Sequence, residues 1–295
     1  MKDLTIVIPA YNEFQALTSS LPKLVAYCVN NGCQLIIVND GSKDQTIELL
    51  GQYEHEPFFR AINHKLNRGY GGALKTGILA AQTELVITID ADGQHRLDDV
   101  TRLYTSLKDI DADMVIGKRN IERENLYRKI GKSLIRTIAA LLMPINIQDL
   151  NSGMKIYRTE LAQSYIELCP DTMAFSDVIT LVFINQRHLV AEHPITVEPR
   201  TTGTSTINTK TAIDTVLEIL HIVTLFNPMR IFLPPALFCL IFSGIWGIPI
   251  VLRGEGISVG TLFLFVTGLI FFILGLIAEQ LALIRKNLSL YVRDN

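Results

Sequence analysis

Two long uncharged stretches near the C-terminus constrain the fold of this chain more than any other feature. Residues 231–252 and 259–278 contain no Asp, Glu, Lys or Arg. Each has about 20 residues, the length that crosses the hydrocarbon core of a bilayer as a helix. Two buried core helices in succession are a weaker explanation. The sequence therefore predicts a transmembrane hairpin with helices at about 231–252 and 259–281, joined by the short segment RGEGIS.

Positive charges flank this hairpin. Arg230 precedes it, and Arg285, Lys286 and Arg293 follow it. The positive-inside rule then places both chain ends in the cytoplasm, with the hairpin in the plasma (inner) membrane. The start, MKDLTIVIPAYNE, has the pattern of a strand, and we expect no signal peptide there. The segment 209–229 has helical apolar spacing, typical either of a core helix or of a helix lying in the membrane interface.

Charge and cysteine content exclude some functions. The net charge of -2 is not that of a nucleic-acid-binding protein, which usually carries a basic excess. The four cysteines form no CxxC pair, so we expect free thiols in a reducing compartment.

The first half of the chain alternates apolar strand-like runs with helical segments. Strands are predicted at 4–9, 33–40 and 85–90 and in FFRAINH, and a helix is predicted from SKDQ onward, with Ser42 as its N-cap. Such alternation predicts a mainly parallel α/β sheet. Ligands of these sheets bind beyond the carboxyl ends of the strands. Here those ends carry PAYNE, VNDGS and DADGQ, which we expect to converge on one rim.

The segment ITIDADGQH predicts a metal site at that rim. In an extended segment the carboxylates of Asp90 and Asp92 point the same way, and their repulsion is relieved by a divalent cation. Oxygen ligands, with Gln94 nearby, suit Mg²⁺ or Mn²⁺ when substrate phosphates complete the shell. A solvated turn is the alternative, since a lone DxD is a weak signal.

The other rim loops offer contacts for a nucleotide. Tyr11 supplies a stacking face and Glu13 an acceptor. Asp40 either caps the following helix or accepts from a nucleotide base or ribose. The segment NRGYGGALKTG does not follow the P-loop pattern, because Leu74 precedes Lys75. We interpret it as a glycine-rich turn that brings Arg68 near the nucleotide.

These motifs occur in an order that resembles a known family. PAYNE, NDGSKDQT, NRGYGGA, DADGQH, GKR and SGMKIYR together resemble the family 2 glycosyltransferases with the GT-A fold. With the hairpin, the chain looks like the polyprenyl-phosphate glycosyltransferases, the group of dolichyl-phosphate mannose synthases and bactoprenol glucosyltransferases. The resemblance implies a Rossmann-like GT-A domain over 1–208 with an interface helix at 122–142, an amphipathic juxtamembrane helix at 209–229 and the hairpin in 230–295.

The resemblance also implies roles for individual residues. Arg119 would meet phosphate near the donor sugar, and Arg200, with Ser205 in the same loop, would clamp phosphates. Thr206 stands where the family usually has a lysine. The metal ligands would be Asp90, Asp92 and Gln94. The nucleotide contacts would be Pro9, Tyr11, Glu13, Asp40, Arg68, Asp90 and Ala91.

A lipid phosphate acceptor needs cationic groups at the membrane surface. The helical segment RKIGKSLIRTIAALL places four polar side chains on one face, at Lys129, Lys132, Ser133 and Arg136. A solvated basic face that attracts lipid without specificity is the alternative. Asp149 is the candidate general base by position. A phosphomonoester is mostly dianionic at neutral pH and needs little deprotonation, so Asp149 is alternatively a residue that orients a basic group or the sugar.

The sequence thus predicts a membrane-bound, metal-dependent inverting glycosyltransferase, with Asp92, Asp149 and Arg200 as candidate catalytic residues. It would move one sugar, with UDP-glucose favoured as donor, to polyprenyl (undecaprenyl) phosphate. The alternatives are an enzyme that uses GDP-mannose, as dolichyl-phosphate mannose synthases do, and a non-catalytic membrane-anchored nucleotide-sugar-binding protein. We expect the hairpin to support a homo-oligomer, with a tetramer as the expected state.

Overall fold

The computed structural model describes residues 1–119, 147–197, 224 and 227–291, with side chains described as far as 284. The described residues up to 197 form one compact unit, and residues 227–291 belong to a second. The proposed interface helix at 122–142 lies outside the described residues, as does nearly all of the segment 209–229.

The first unit is built on a seven-stranded sheet with the strand order β3-β2-β1-β4-β6-β5-β7. The strands are β1 Leu4–Ala10, β2 Gln34–Asn39, β3 Phe59–Asn63, β4 Leu85–Thr88, β5 Met114–Arg119, β6 Lys155–Arg158 and β7 Val190–Ile195. The first four strands are parallel, and β7 runs parallel to β5. Strand β6 is antiparallel to both of its neighbours, β4 and β5. The prediction of a mainly parallel α/β sheet is therefore confirmed.

Helices follow most of the strands. They are α1 Phe14–Asn31, α2 Thr46–Gly51, α3 Tyr70–Ala80, α4 Leu97–Ile110, α5 Thr159–Ser164 and α6 Phe175–Asn185. Strand β1 is buried along its whole length, as expected of a parallel strand covered on both faces. Since β5 and β4 run in the same direction, Arg119 at the end of β5 and Asp90 after the end of β4 lie at the same rim.

The second unit contains two long apolar helices, α7 Met229–Leu252 and α8 Val259–Tyr291. Residues Met229–Leu252 and Val259–Ile284 are long and apolar enough to cross a membrane. Glycines lie where the two helices approach closely. A Cβ on Gly247 would lie 2.3 Å from the Thr261 Cγ2 atom, and one on Gly268 would lie 2.7 Å from Leu240 Cγ. Small residues of this kind allow helices to pack tightly in a membrane, where no hydrophobic effect drives them together.

Candidate functional site

The carboxylate of Asp90 lies just beyond the end of β4 and is held by two neighbouring side chains. The hydroxyl of Tyr70, at the start of α3, donates to Asp90 Oδ1 at 2.8 Å. The Nε2 atom of His95 lies 3.5 Å from Asp90 Oδ2. The Asp90 side chain remains 33% exposed. It therefore has a fixed orientation and still faces the space above the rim.

Gly153 closes the other side of this carboxylate. A Cβ at this position would lie 2.2 Å from Asp90 Oδ2, so a side chain there would force the carboxylate to move. The glycine of the SGMKIYR segment thus allows Asp90 to lie close to the backbone. The motif itself was visible in the sequence, but nothing in a single sequence shows which side chain a glycine faces.

The surroundings of Asp90 favour its ionised form. Burial opposes the charge, but the nearby His95 side chain, the hydrogen bond from Tyr70 and the positive charge of Arg119 outweigh that effect. Together they hold the pKa of Asp90 below its usual value. The carboxylate is therefore an anion at neutral pH, as a metal ligand must be.

Arg119 is fixed by Asp149 through a two-pronged ion pair. Arg119 Nε donates to Asp149 Oδ2 at 2.8 Å, and Nη2 donates to Oδ1 at 2.7 Å. The backbone N–H of Arg119 donates to Asp149 Oδ2 as well, at 3.0 Å, and Nη2 also donates to the Asn151 carbonyl at 3.0 Å. A paired guanidinium of this kind has one orientation, and its positive charge acts on the Asp90 carboxylate.

The contacts of Asp149 are those of a residue that orients a basic group, the second of its two predicted roles. Both of its oxygens accept from Arg119. Burial would raise the pKa of Asp149, but the hydrogen bonds and charge of Arg119 lower it below its usual value. Glu192 fixes the loop from the other side, since its Oε1 accepts the backbone N–H of Asp149 at 2.8 Å. A carboxylate that is already paired with an arginine is a weak proton acceptor.

Asp40 has a role that the sequence did not reveal. Its side chain is 3% exposed and makes three hydrogen bonds within the protein. Oδ1 lies 2.6 Å from His64 Nδ1 and accepts the backbone N–H of Arg68 at 2.8 Å, and Oδ2 accepts the backbone N–H of Gly69 at 2.9 Å. His64 Nε2 in turn lies 2.9 Å from the Thr76 hydroxyl. Asp40 thus anchors the NRGYGG loop, whereas the prediction gave it either a helix cap or a direct contact with a nucleotide.

The two rim loops that follow β1 and β2 are joined by side-chain hydrogen bonds. The backbone N–H of Asn12 donates to Ser42 Oγ at 2.9 Å, and that of Lys43 donates to Asn12 Oδ1 at 2.8 Å. Asp44 Oδ2 accepts the backbone N–H of Phe14 at 3.1 Å. The prediction that Ser42 caps the next helix is wrong, because α2 begins at Thr46 and Ser42 serves the neighbouring loop instead.

The remaining candidate nucleotide residues occupy different positions along this rim. Tyr11 is exposed, with 43% of the residue accessible to solvent. Pro9 is buried within β1, and Ala91 is buried after β4. Glu13 directly precedes α1, and Arg68 is exposed in the loop that Asp40 holds. Tyr11 and Arg68 are therefore the two of these side chains that extend furthest into solvent.

Several predicted phosphate and acceptor contacts lie outside the described residues. They are Lys129, Lys132, Ser133, Arg136, Arg200 and Ser205. Thr206, which stands in place of the usual lysine, lies outside them as well. Their roles remain predictions.

Comparison with known families agrees with the arrangement of these elements. The model of glycosyl transferase family 2 matches residues 5–166, more than half of the chain. The chain belongs to glycosyltransferase family 2. The GtrB C-terminal hairpin model matches residues 227–284, which contain α7 and the apolar part of α8. The resemblance noted in the sequence is therefore confirmed for both the GT-A fold and the hairpin.

Curated relatives of this family 2 protein include lipid-phosphate sugar transferases. It is 31% identical to a dolichyl-phosphate beta-glucosyltransferase of Trichomonas vaginalis over 180 residues, which cover 54% of this chain and 52% of the relative. It is 28% identical to an undecaprenyl-phosphate 4-deoxy-4-formamido-L-arabinose transferase of Photorhabdus laumondii, over 62% of this chain and 57% of the relative. The chain thus spans little more than half the length of these relatives.

Solved structures share the fold at low sequence identity. Glucosyl-3-phosphoglycerate synthase from Mycobacterium tuberculosis, in complex with phosphoglyceric acid, is 18% identical and gives a TM-score of 0.58 over 75% of this chain and 79% of that one. The S. aureus protein TarS, residues 1–349, is 16% identical and gives a TM-score of 0.52 over 75% of this chain and 64% of that one. The mycobacterial synthase has also been crystallised with Mn²⁺ and UDP-glucose.

The donor set of the DADGQ turn fits a divalent cation that a substrate helps to hold. Among residues 1–119, 147–197 and 227–284, no group of three or more His, Cys, Asp or Glu side chains is arranged to bind a metal. Asp90 nevertheless presents an ionised carboxylate that is one-third exposed, and the absence of a side chain at Gly153 lets this carboxylate lie against the backbone. Asp92 lies in the same turn, and its Oδ1 accepts the backbone N–H of Gln94 at 3.2 Å. Two carboxylates are enough for Mg²⁺ when phosphate oxygens supply further ligands.

Proposed function

We propose that this protein transfers one sugar from a nucleotide diphosphate sugar to a polyprenyl phosphate at a membrane, with inversion at the anomeric carbon. One observation carries the proposal: the Asp90 carboxylate lies at the same rim as an arginine, Arg119, whose direction is fixed by a second carboxylate, Asp149. Such a site suits a diphosphate, because its negative charge can be balanced by a metal ion held at Asp90 on one side and by the arginine on the other. The names of the curated relatives support the same class of substrate.

The metal end of the site would hold the donor. We propose that Asp90, Asp92 and Gln94 bind Mg²⁺ or Mn²⁺ together with the diphosphate oxygens. A bound divalent cation supplies positive charge that stabilises the leaving diphosphate. Tyr70 and His95 keep the Asp90 carboxylate in position for that role.

Arg119 would act on the phosphate beside the donor sugar. As the bond to the anomeric carbon breaks, negative charge grows on the leaving diphosphate, and a fixed guanidinium stabilises it without having to reorganise. Its fixed direction comes from Asp149 and the Asn151 carbonyl. We propose that Arg200 and Ser205 complete the phosphate contacts.

The nucleoside would lie along the loops after β1 and β2. We propose that the exposed ring of Tyr11 stacks on the base and that Pro9, Glu13 and Ala91 line its surroundings. Arg68 would reach the nucleotide from the loop anchored by Asp40. Asp40 would then act on the nucleotide through this loop, because its own oxygens already have protein partners.

The acceptor would be a lipid phosphate bound by Lys129, Lys132, Ser133 and Arg136. Its phosphate is mostly dianionic at neutral pH, so its oxygen can attack without a base. This agrees with the proposed role of Asp149, which is to orient Arg119.

The predicted domain limits remain part of the proposal: a catalytic domain over 1–208, a juxtamembrane helix over 209–229, and a hairpin in 230–295. We place the catalytic domain and both chain ends in the cytoplasm, at the inner membrane, and propose a homo-oligomer, with a tetramer as the expected state.

We favour UDP-glucose as donor, because the first of the relatives described above is a glucosyltransferase and because two of the described helices are long and apolar enough to cross a membrane. GDP-mannose is the alternative donor. Transfer assays on the purified full chain in detergent separate the two. They use undecaprenyl phosphate, Mn²⁺ or Mg²⁺, and radiolabelled UDP-glucose, UDP-N-acetylglucosamine or GDP-mannose.

Formation of a lipid-linked sugar from one donor, abolished by EDTA, is the expected result. No transfer from any donor, together with retained nucleotide binding, would overturn the enzymatic proposal and favour a nucleotide-sugar-binding protein.

A further inference from the structure

Lys155 is a charged residue in the interior of the catalytic unit, where such residues are rare. It opens β6, and its side chain is completely buried. In the sheet register it pairs with Thr88 at the end of β4 on one side and with Ile116 of β5 on the other. It therefore lies between the two strands that lead to Asp90 and Arg119.

The ammonium group of Lys155 has one acceptor for each of its three N–H bonds. Nζ donates to the Leu150 carbonyl at 2.6 Å and to the Thr180 hydroxyl at 2.8 Å. It also donates to the Ser176 carbonyl. A neutral amine has only two N–H donors and could not donate to all three of these acceptors at once.

These acceptors belong to the two segments that support the candidate site. The Leu150 carbonyl lies between Asp149 and Asn151, the residues that bind Arg119. Ser176 and Thr180 belong to the first turns of α6. Helix α6 also packs against α3, whose first residue, Tyr70, donates to Asp90. One buried cation thus joins α6 to the loop that fixes Arg119.

The surrounding charges are consistent with a cation at this position. Asp177 and Asp149 favour the charge, whereas Arg119 opposes it. Burial is the largest influence and lowers the pKa of Lys155 to about 8. The ammonium form therefore predominates at neutral pH, although the group is fully removed from water.

We propose that Lys155 is a positioning residue: by clamping the 149–151 loop onto α6, it holds the Asp149–Arg119 pair in the direction needed to stabilise the leaving diphosphate. The proposal concerns the same site as the proposed function and rests on it for its effect on catalysis. It assigns no contact between Lys155 and substrate.

The first test removes one acceptor and leaves the lysine in place. Thr180→Val is nearly isosteric and deletes the hydroxyl, whereas Thr180→Ser keeps the hydroxyl and deletes the methyl group. We expect kcat to fall about tenfold in Thr180→Val and less than about twofold in Thr180→Ser. The KM for the nucleotide sugar should stay within about threefold of wild type in both variants, because the lost interaction acts on the transition state. Equal kcat values for the two variants would overturn the proposal.

The second test asks whether Lys155 acts through Asp149. We expect Lys155→Met to lower kcat by about thirtyfold or more. Its effect should be non-additive with that of Asp149→Asn, so the kcat of the double variant should lie within about threefold of the kcat of the slower single variant. Lys108→Met, on α4, is the matched control and should keep wild-type kcat. If the two losses multiply instead, Lys155 does not act through the Asp149–Arg119 pair and the proposal is wrong.

The third test does not depend on activity. In protein labelled with ¹⁵N at arginine, the Nε–H of Arg119 should exchange slowly with water, because it is bound to Asp149. We expect exchange to be at least about tenfold faster in Thr180→Val and unchanged in Lys108→Met. If wild type transfers no sugar from any donor, the proposed function fails while this measurement still decides the role of Lys155. Unchanged exchange in Thr180→Val would overturn that role.

Discussion

Two acidic turns at the same rim look alike in sequence and differ in structure. NDGS lies at the end of β2 and DADGQ follows β4, and each places an aspartate within two residues of the end of a buried strand. The side chain of Asp40 is 3% exposed, whereas that of Asp90 is 33% exposed. Asp40 bonds to His64 and to two backbone N–H groups, whereas Asp90 bonds to two side chains and keeps an open side.

The difference shows how one kind of turn can serve two purposes. A carboxylate that accepts backbone N–H groups from a distant loop fixes that loop and has little capacity left for a ligand. A carboxylate held by a tyrosine and a histidine is oriented but can still gain a ligand on its exposed side. The first turn is therefore expected to affect mainly stability, and the second mainly chemistry.

The largest expected effect is at the open turn. Asp90→Asn and Asp92→Asn should each lower kcat/KM by about 100-fold or more, since changes even in the outer shell of a metal site cost about 10–100-fold. The thermal unfolding midpoint should change little in Asp92→Asn. Asp98→Asn, an exposed carboxylate in the first turn of α4, is the control and should keep wild-type activity. Activity of Asp92→Asn within threefold of wild type would contradict a catalytic role for the turn.

A smaller loss is expected at Asp149. Asp149→Asn should lower kcat/KM by about 30-fold, equivalent to about 2 kcal/mol. This is the low end for a hydrogen-bonded charge pair, because Arg119 is one-third exposed. Because the pKa of Asp149 is lowered, this carboxylate is ionised at neutral pH and takes up a proton only below the pH at which an ordinary aspartate does. We therefore expect the pH–rate profiles of wild type and variant to have the same shape.

The dependence of the rate on pH distinguishes the two roles considered for Asp149, general base and residue that orients Arg119. If it were the base, the wild-type rate would fall at low pH as Asp149 became protonated, and the variant would lack that limb. A limb present in wild type and absent in Asp149→Asn would restore the assignment as base and contradict its role in orienting Arg119.

The closed turn should respond in stability. Asp40→Asn leaves a single oxygen for three N–H donors and turns an amide N–H₂ toward one of them. We expect the free energy of unfolding to fall by about 2 kcal/mol, the range for buried hydrogen bonds to a charged group, with a matching fall in Tm. Because Asp40 and His64 share one bond, the effects of Asp40→Asn and His64→Gln should be non-additive. Weaker nucleotide binding at unchanged stability would instead indicate a direct nucleotide contact.

Much of this arrangement could be predicted from the sequence, but not all of it. The apolar strands, the order of the motifs and the uncharged stretches predicted the sheet, the rim and the hairpin, since each follows from local pattern. The partners of Asp40 and Asp149 could not be predicted, because His64 and Arg119 meet them only when separate strands end at one rim. Lys155 stands in SGMKIYR, where it looks like an ordinary surface lysine. Its burial depends on three acceptors from distant segments, which no spacing in the sequence reveals.

The smallest expected effect tests what holds the NRGYGG loop. Lys75 Nζ and Asp171 Oδ1 lie 2.6 Å apart, but the Asp171 side chain is 60% exposed. Exposed pairs contribute about 0–1 kcal/mol, so Asp171→Asn should lower the free energy of unfolding by less than about 1 kcal/mol and leave kcat/KM unchanged. The backbone contact is retained, because the Gly72 N–H donates to the Asp171 carbonyl. A loss in Asp171→Asn as large as that in Asp40→Asn would mean that the ion pair, and not the buried carboxylate, anchors the loop.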